Sequence, residues 1–382
     1  MIYFDNNATT QIAPVVFDAM KPFLAASYGN PSSAYPFGRE SKAAIESARE
    51  SVAGLLGAAE ASEIVFTSGG TESDNWAILG TLAADPAKDH AITTRVEHEA
   101  VRKLCEKLER DAKYRITWLE VDENGALDLE MLRTSLTKKT AVVSIMLANN
   151  ETGILFPITE IAAIVKENSD ALFHVDGVNA VGKVPVLLEG SGIDLFSVSG
   201  HKFHAPKGIG ALYIRQGVEL RSILTGGGQE SGRRPGTEAV HQIVGLGAAA
   251  DFVSDMTPMD QVRELRDYLE FKILDSCPNS RTNGTIDSSM RLPNTSSISF
   301  ENTNGEMILS RLADFAVCVS TGSACNSADH TASPVLQAMN IPYSRAMGAI
   351  RFSLGRFNTA EEVDFVIEHL PGTVAELHAM SS

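Results

Sequence analysis

The strongest constraint on the fold is the alternation of short apolar runs with amphipathic stretches through the first two-thirds of the chain. Runs rich in Val, Ile, Leu and Phe predict buried strands at residues 63–67, 91–95, 141–148, 172–176 and 194–199. Between several of them, helical patterns occur at residues 129–136 and 159–167. Because strands that alternate with helices form parallel sheets covered on both faces, we expect an α/β fold with a mainly parallel central sheet flanked by helices.

The pattern of predicted helices and strands changes near residue 255. Apolar residues at helical spacing predict a long helix over residues 259–274, followed by short strands at 296–300, 316–319 and 349–354. A chain of 382 residues is long enough for two domains. We predict a large domain over residues 15–255 and a smaller α+β domain over 256–382. The sequence does not decide where residues 1–14 pack, and we assign them to the small domain.

Composition and charge exclude several classes of function. The formal net charge of −16 argues against a non-specific nucleic-acid binder and against attachment to an anionic membrane. The start MIYFDNNATT has no basic residues and no apolar core, so we expect no signal peptide, and without a run of about 18 apolar residues we expect no transmembrane helix. The four cysteines lie far apart without CxxC spacing, which argues against a disulfide framework or a zinc site. We therefore expect a cytoplasmic protein with reduced thiols and no nucleic-acid or membrane partner.

Polar residues follow the predicted strands where a ligand would bind. In open α/β sheets, ligands bind outside the carboxyl ends of the strands. The segments after these ends are TSGGTESDNW, RVEHEAV, ANNETG, DGVNAVGK and SGHKFHAPKG. They supply, in order, Gly70 with Thr71, His98, Asn150, Asp176 and Lys202.

Each of these groups also has an ordinary structural explanation. Gly70 and Thr71 at a helix start suit a phosphate, or they form a plain N-terminal cap. The segment is neither a P-loop nor GxGxxG, which argues against a dinucleotide. Asp176 is either a carboxylate of the site or a helix cap. His98 is either an imidazole of the site or a surface residue. Asn150 is either an amide of the site or a turn residue.

The two lysines of SGHKFHAPKG differ in their local context. Lys202 stands at a strand end among small residues, where desolvation makes a lysine nucleophilic. Lys207 lies in a Pro-Lys-Gly turn, which normally points its charge to solvent. Lys202 is therefore the better candidate for a Schiff base. A lysine, a carboxylate and a phosphate cup at neighbouring strand ends are what pyridoxal 5′-phosphate (PLP) requires.

The cysteines also differ in their surroundings. Cys325 lies in STGSACNSADH, whose small residues are typical of a mobile loop, so it is a candidate reactive thiol or an incidental loop residue. Cys318 lies in a predicted strand and reads as a small buried hydrophobe. Cys105 and Cys277 lie in helical contexts and read as structural.

These motifs together resemble those of a known family. The chain is similar to cysteine desulfurases of the NifS/IscS type, within the class V aminotransferase group, over essentially its whole length. The resemblance is carried, in family order, by YFDNNATT, YGNPSS, FTSGGTESDN, VEHEAV, ANNETG, SGHKFHAPKGIGALY, RRPGTE, RLPNT, STGSAC and IRFSLGRF. It implies the aspartate aminotransferase-like fold (fold type I), with PLP as the cofactor and the catalytic cysteine in the small domain.

The resemblance implies a role for each matching residue. Lys202 would carry the cofactor, His98 would stack on its ring and assist proton transfer, and Asp176 would pair with the ring nitrogen. Asn150 would line the ring. The phosphate would be held by Gly70, Thr71, Ser199 and His201, and by Thr237 from the partner subunit of a homodimer.

The same resemblance implies the substrate contacts and the sulfur chemistry. Arg351 would hold the carboxylate of L-cysteine. Cys325 would accept the sulfur as a persulfide, leaving L-alanine, and would supply an iron–sulfur scaffold protein. No resident metal is implied, although Cys325 would allow a transient iron–sulfur cluster contact. One departure is Asn179, which stands where the family has Gln against the phenolic oxygen of the cofactor. Asn is one methylene shorter, so we expect this contact to be lengthened, water-bridged or lost.

Other functions remain as alternatives at this stage. Another class V PLP enzyme, such as an aminotransferase or a kynureninase-like lyase, would need Lys202 but not Cys325. A selenocysteine lyase would share nearly every residue. A sulfur-relay subunit without catalysis is disfavoured, because the chain has Lys202, Asp176, His98 and Cys325 together.

Overall fold

A computed structural model describes residues 1–321 and 331–381. Within these ranges the helices are α1 Pro14–Ala25, α2 Pro36–Leu56, α3 Gly70–Ala84, α4 Glu99–Arg110, α5 Leu129–Ser135, α6 Ile158–Asn168, α7 Val240–Ser254, α8 Pro258–Ser276, α9 Gly305–Asp314, α10 Pro334–Ala338, α11 Tyr343–Ala346 and α12 Ala360–Ser381. The strands are β1 Ile2–Tyr3, β2 Ile64–Thr67, β3 His90–Thr94, β4 Arg115–Leu119, β5 Thr140–Ser144, β6 Leu172–Asp176, β7 Leu195–Ser199, β8 Gly210–Ile214, β9 Ser280–Thr282, β10 Thr295–Phe300, β11 Val317–Cys318 and β12 Ala349–Ser353. No helix in these two ranges is long and apolar enough to cross a membrane.

The central sheet has seven strands in the order β2-β8-β7-β6-β5-β3-β4. From β7 to β4 each neighbouring pair is parallel, whereas β8 runs antiparallel to both β2 and β7. This arrangement confirms the predicted α/β fold with a mainly parallel sheet. Strands β3, β5, β7 and β8 are buried along their whole length, which explains why apolar residues are not confined to alternate positions in TAVVS, LFSVS and GALYI.

Strand β4 was not identified from the sequence. It lies at the edge of the sheet, pairs with β3, and is buried at only Ile116 and Leu119. An edge strand needs fewer apolar residues, so its signal is a short alternation that a search for apolar runs passes over.

A second core lies beyond the central sheet. Strands β12, β10 and β9 form a three-stranded antiparallel sheet, and β1 pairs in parallel with β11. Side chains of α8, α9 and α12 pack with these strands in one apolar cluster, which also contains Phe4. Ala13, by contrast, packs in the core of the large sheet. The N-terminal segment therefore touches both cores, and the domain boundary near residue 255 stays a prediction.

The parallel strands bring the polar segments to one edge of the sheet. β3, β5, β6 and β7 end on the same side, so the residues that follow them lie close together. Gly177 makes the turn after β6 possible. A Cβ atom at Gly177 would lie 1.9 Å from Cζ of the buried Phe196 ring on β7. The turn that carries Asp176 therefore packs directly on the neighbouring strand.

We expect Gly177→Ala to destabilise the protein by about 1–3 kcal/mol, because the added methyl group overpacks the contact with Phe196. The matched control is Gly54→Ala in α2, where a Cβ atom would meet nothing within 4 Å. That control should be neutral or stabilising by up to about 1 kcal/mol, because Ala favours helix more than Gly. Urea unfolding of the three proteins measures both effects, and equal stability of the two variants would contradict this account of the turn.

Candidate active site

The polar segments enclose a cavity of ≈ 370 Å³ at the carboxyl edge of the central sheet. Its lining comes from residues far apart in the sequence, including the N-terminal segment and β12. Ten of the residues singled out in the sequence lie in this lining: Gly70, Thr71, His98, Asn150, Asp176, Asn179, Ser199, His201, Lys202 and Arg351.

Lys202 ends a short 3₁₀ turn that directly follows β7. Its Nζ donates hydrogen bonds to the backbone oxygens of Asn7, at 2.5 Å, and Ala8, at 3.1 Å. Lys207, five residues later, is exposed and lies outside the described lining of the cavity. The amine that reaches the cavity is therefore that of Lys202, and the N-terminal segment covers it.

Asp176 stands at the end of β6, and its side chain is buried. Its Oδ1 accepts a hydrogen bond of 2.9 Å from the backbone N–H of Val178. Burial raises the pKa of Asp176, while the nearby His98, the Val178 N–H and Lys202 act in the opposite direction.

Asp74 and Glu97 are two further buried carboxyl groups in the lining, which the sequence analysis missed. Glu97 Oε1 accepts hydrogen bonds from Thr94 Oγ1 at 2.8 Å and from Met146 N at 3.1 Å. Burial, and then the nearby Asp176, raise the pKa of Glu97 to about 8. The same two causes raise the pKa of Asp74 well above its usual range. Glu97 therefore holds a proton at neutral pH, and the ionised form of Asp74 is disfavoured.

The two histidines of the cavity are neutral. His98 caps α4, and its Nδ1 accepts the Ala100 N–H at 3.2 Å, which leaves the proton on Nε2. Burial lowers the pKa of His98, and Lys202 lowers it further. Burial and neighbouring positive charges lower the pKa of His201 to about 4. His201 Nδ1 lies 3.1 Å from Thr9 Oγ1.

The start of α3 forms one wall of the cavity. Gly69 precedes the helix with φ of +149°, a backbone conformation that favours glycine. A Cβ atom at Gly70 would lie 2.7 Å from Val178 Cγ2 and 3.4 Å from Cβ of Ser199. The first N–H groups of a helix have no partner within the helix and attract anions. These glycines thus let a helix start, the turn after β6 and Ser199 approach each other closely.

Arg351 reaches the cavity from β12, which belongs to the second core. Its Nη1 donates to the backbone oxygen of Asn150 at 2.9 Å, and its Nη2 lies 2.6 Å from Asp5 Oδ1. The Nε atom is buried without a hydrogen-bond partner among the described residues. Asp5 and Asn7 also line the cavity, and the sequence analysis did not assign them a role. Their signal was the polar DNN run directly after the apolar start of the chain.

Two of the proposed residues are not placed in this cavity. Thr237 lines a separate cavity of ≈ 230 Å³ together with Thr67, Ser68 and Arg234. Arg234 forms an ion pair of 2.8 Å with Glu72 in the first turn of α3, which holds this segment near the start of the helix. Cys325 lies outside the described residues.

The other cysteines differ in exposure. Cys105 and Cys277 are buried, and burial raises the pKa of both thiols, that of Cys105 to about 12. They are therefore protonated and unreactive at neutral pH. Cys318, on β11, is half-buried rather than fully buried.

Comparison with known proteins gives consistent matches along the chain. Residues 2–366 match the class-V aminotransferase family. A cysteine desulfurase of Nostoc sp. is 52% identical over 383 aligned residues, which cover 100% of this chain and 94% of that protein.

Solved structures match the fold equally well. A NifS-like protein is 37% identical, with a TM-score of 0.91, and the match covers 98% of this chain and 100% of that one. SspA, solved in complex with cysteine, is 33% identical, with a TM-score of 0.82, and the match covers 94% of this chain and 100% of that one. Together with the geometry of the cavity, these matches show that the chain belongs to the class-V aminotransferase family.

Proposed function

We propose that this protein is a PLP-dependent cysteine desulfurase, which converts L-cysteine to L-alanine and places the sulfur on Cys325 as a persulfide. The observation that carries the proposal is the meeting of Lys202, Asp176, the start of α3 and Arg351 in one cavity. The cysteine desulfurase of Nostoc sp. matches the whole chain at 52% identity, and SspA is a related protein that binds cysteine.

The donors and acceptors of the cavity fit PLP with an amino-acid substrate. Four lining residues carry a buried polar atom without a hydrogen-bond partner among the described residues: Asp74 Oδ1, Glu97 Oε2, Asn179 Nδ2 and Arg351 Nε. Native proteins pair nearly all such atoms, so an unpaired group in a cavity lining suggests a ligand partner. Asn179 Nδ2 and Arg351 Nε are donors, which suit the phenolic oxygen of PLP and a substrate carboxylate.

The charges of the cavity support the same assignment. PLP, when bound, withdraws electrons from the substrate Cα and so makes its proton acidic. Asp176 lies near His98 and Lys202, which act against the effect of burial on its pKa and so favour its ionised form. It is therefore suited to hold a proton on the pyridine nitrogen. The raised pKa values of Asp74 and Glu97 disfavour negative charge on these two neighbouring groups.

The chain's own groups bind the substrate and move its protons. Arg351 holds the carboxylate of L-cysteine. The amine of Lys202 carries the cofactor and takes the proton from the substrate Cα. The neutral imidazole of His98, with its proton on Nε2, stacks on the pyridine ring and relays protons. The start of α3, Ser199 and His201 hold the phosphate.

Sulfur transfer to Cys325 balances without an added oxidant. The thiolate of Cys325 attacks the substrate sulfur, an S–S bond forms, and the bond between that sulfur and the substrate Cβ breaks. The electron pair of the broken bond stays with the carbon skeleton, which takes up protons and leaves as L-alanine. One L-cysteine and one thiol thus become one L-alanine and one persulfide. A thiol reductant then releases the sulfur as sulfide.

The proposal extends to partners and location. The protein forms a homodimer in which Thr237 of the partner subunit completes the phosphate site. It works in the cytoplasm and passes sulfur to an iron–sulfur scaffold protein. The alternative function is that of a selenocysteine lyase, which would share nearly every residue, or of another class V PLP enzyme, which would not require the thiol of Cys325.

Cys325→Ser tests the proposed sulfur acceptor. We expect sulfide release from L-cysteine and dithiothreitol to fall to background, because the hydroxyl group cannot accept sulfur, while the visible absorbance of bound PLP persists. The matched control is Cys318→Ser on β11, which should keep the wild-type rate. Alanine and sulfide are measured together on each protein. Wild-type sulfide release by Cys325→Ser would contradict the persulfide role and favour the alternative function.

Arg351→Gln tests the substrate carboxylate site. We expect the KM for L-cysteine to rise roughly 10- to 100-fold, because a charged hydrogen bond contributes about 1.5–3 kcal/mol. The amount of bound PLP should not change. Arg345→Gln is the control, since Arg345 lies outside the described lining and donates to the backbone oxygen of Thr282. An unchanged KM for Arg351→Gln would place the carboxylate elsewhere.

Glu97→Gln tests the neutral state of this carboxyl group. The folded pKa of about 8 lies above the usual 4.5, so Glu97 binds its proton more tightly when folded. Its contribution to stability is complete below pH 4.5 and is lost as pH rises through about 8. In the wild type this loss lowers the thermal midpoint as pH rises. Because Gln mimics the protonated acid, the thermal midpoint of Glu97→Gln should lack this contribution to the fall. If the thermal midpoints of the two proteins change with pH in the same way, Glu97 is ionised in the folded protein.

A further inference from the structure

Lys183 is a second buried lysine beside the cavity, and the proposed reaction does not use it. It follows Asp176 by seven residues, in the turns after β6. Lys183 is only 7% exposed to solvent. No carboxylate of the described residues forms an ion pair with it. A buried lysine without a counter-charge is costly, so its hydrogen bonds require an explanation.

The Nζ atom of Lys183 contacts two asparagines. It donates to the side-chain oxygen of Asn179 at 2.8 Å, to the backbone oxygen of Asn179 at 2.9 Å, and to Asn7 Oδ1 at 3.3 Å. Burial lowers the pKa of Lys183 well below its usual range, and the charges of Lys202 and Arg351 lower it further. Even a neutral amine keeps two N–H donors, enough for both contacts with Asn179.

These contacts determine the orientation of the Asn179 amide. The amine of Lys183 donates hydrogen bonds to its neighbours, so the amide oxygen of Asn179 must be the atom that faces it. The amide nitrogen then lies on the other side of the group. Nδ2 is buried and has no hydrogen-bond partner among the described residues. Asn179 itself lines the cavity, so the unpaired donor belongs to the ligand site.

Asn7 places this pair next to the reacting lysine. Its Oδ1 accepts from Lys183, and its backbone oxygen accepts from Lys202 at 2.5 Å. In PLP, the phenolic oxygen and the aldehyde that bonds to a lysine are on adjacent ring carbons. Asn179 and Lys202 line the same cavity, so a cofactor attached to Lys202 would have the Asn179 donor close to its reactive end.

We propose that Lys183 is a positioning residue, which holds the oxygen of the Asn179 amide and so presents Nδ2 as a donor to the phenolic oxygen of PLP. The inference rests on the proposed function and adds a specific role for two residues. It also explains how a short side chain serves at this position. Lys183 fixes the amide at one end, so the remaining N–H group has a defined direction.

The test measures the affinity of the PLP-free protein for added PLP, together with the pH titration of its visible absorption band. We expect Lys183→Met and Asn179→Ala each to weaken PLP binding about fivefold, the loss of one hydrogen bond of about 1 kcal/mol. Both should raise the midpoint of the absorption titration. In the double variant the two effects should not add, because Lys183 acts through Asn179. The matched control is Lys207→Met, which removes an exposed lysine and should leave both readouts unchanged.

Asn179→Asp keeps the proposal testable if Lys183→Met fails to fold. The carboxylate of this variant retains a partner for Lys183 but removes the N–H donor. We expect PLP affinity to fall at least as far as in Asn179→Ala, with no loss of thermal stability. Wild-type affinity in Asn179→Asp, or additive effects in the double variant, would overturn the proposal. Failure of the wild-type protein to bind PLP at all would instead overturn the proposed function.

Discussion

The organisation of the cavity depends on Asn7, whose polar groups are all used. Its backbone oxygen accepts from Lys202, and its side-chain oxygen accepts from Lys183 and Asn294. Its amide nitrogen donates to Asn150 O at 3.2 Å and to Thr295 Oγ1 at 2.8 Å. Its backbone N–H donates to Ser353 Oγ at 3.0 Å. One residue thus joins the segment after β7, the turn after β5 and the strands of the second core.

The hydrogen bonds of Asn7 hold the N-terminal segment next to Lys202. β1 pairs with β11, and Phe4 packs in the second core, so the backbone of residues 2–4 is held on that side. Thr10 then donates from its backbone N–H to His201 O at 2.8 Å, on the side of the large sheet. Residues 5–8 span the gap between these attachments and cover Lys202. One wall of the cavity is therefore formed by a segment that is anchored at both ends.

Burial of charge is the second constraint. Asp74, Glu97 and Asp176 lie in the same lining, and three ionised carboxyl groups there would repel one another at high cost. The protein meets this constraint by raising the pKa values of Glu97 and Asp74, which disfavours their ionised forms, and by placing His98 and Lys202 near Asp176. Lys183 is accommodated in a comparable way, through three oxygen acceptors and a lowered pKa. The electrostatics of the cavity are thus a property of the whole group of residues.

The sequence by itself determined the class of fold and most of the candidate site. Apolar runs alternating with helical patterns require a covered parallel sheet, and such a sheet brings the residues after its strands to one edge. Lys202 follows such a strand directly, whereas Lys207 lies in a Pro-Lys-Gly turn, so local context alone distinguished the two lysines. Only the tertiary structure decided which other groups join them. Asp74, Glu97 and Lys183 have no local pattern that separates them from surface residues. The polar run that contains Asp5 and Asn7 assigns neither of them a role, because all five roles depend on burial beside partners distant in sequence. The direction of the Asn179 amide was likewise decided by Lys183, since its amine must face the amide oxygen.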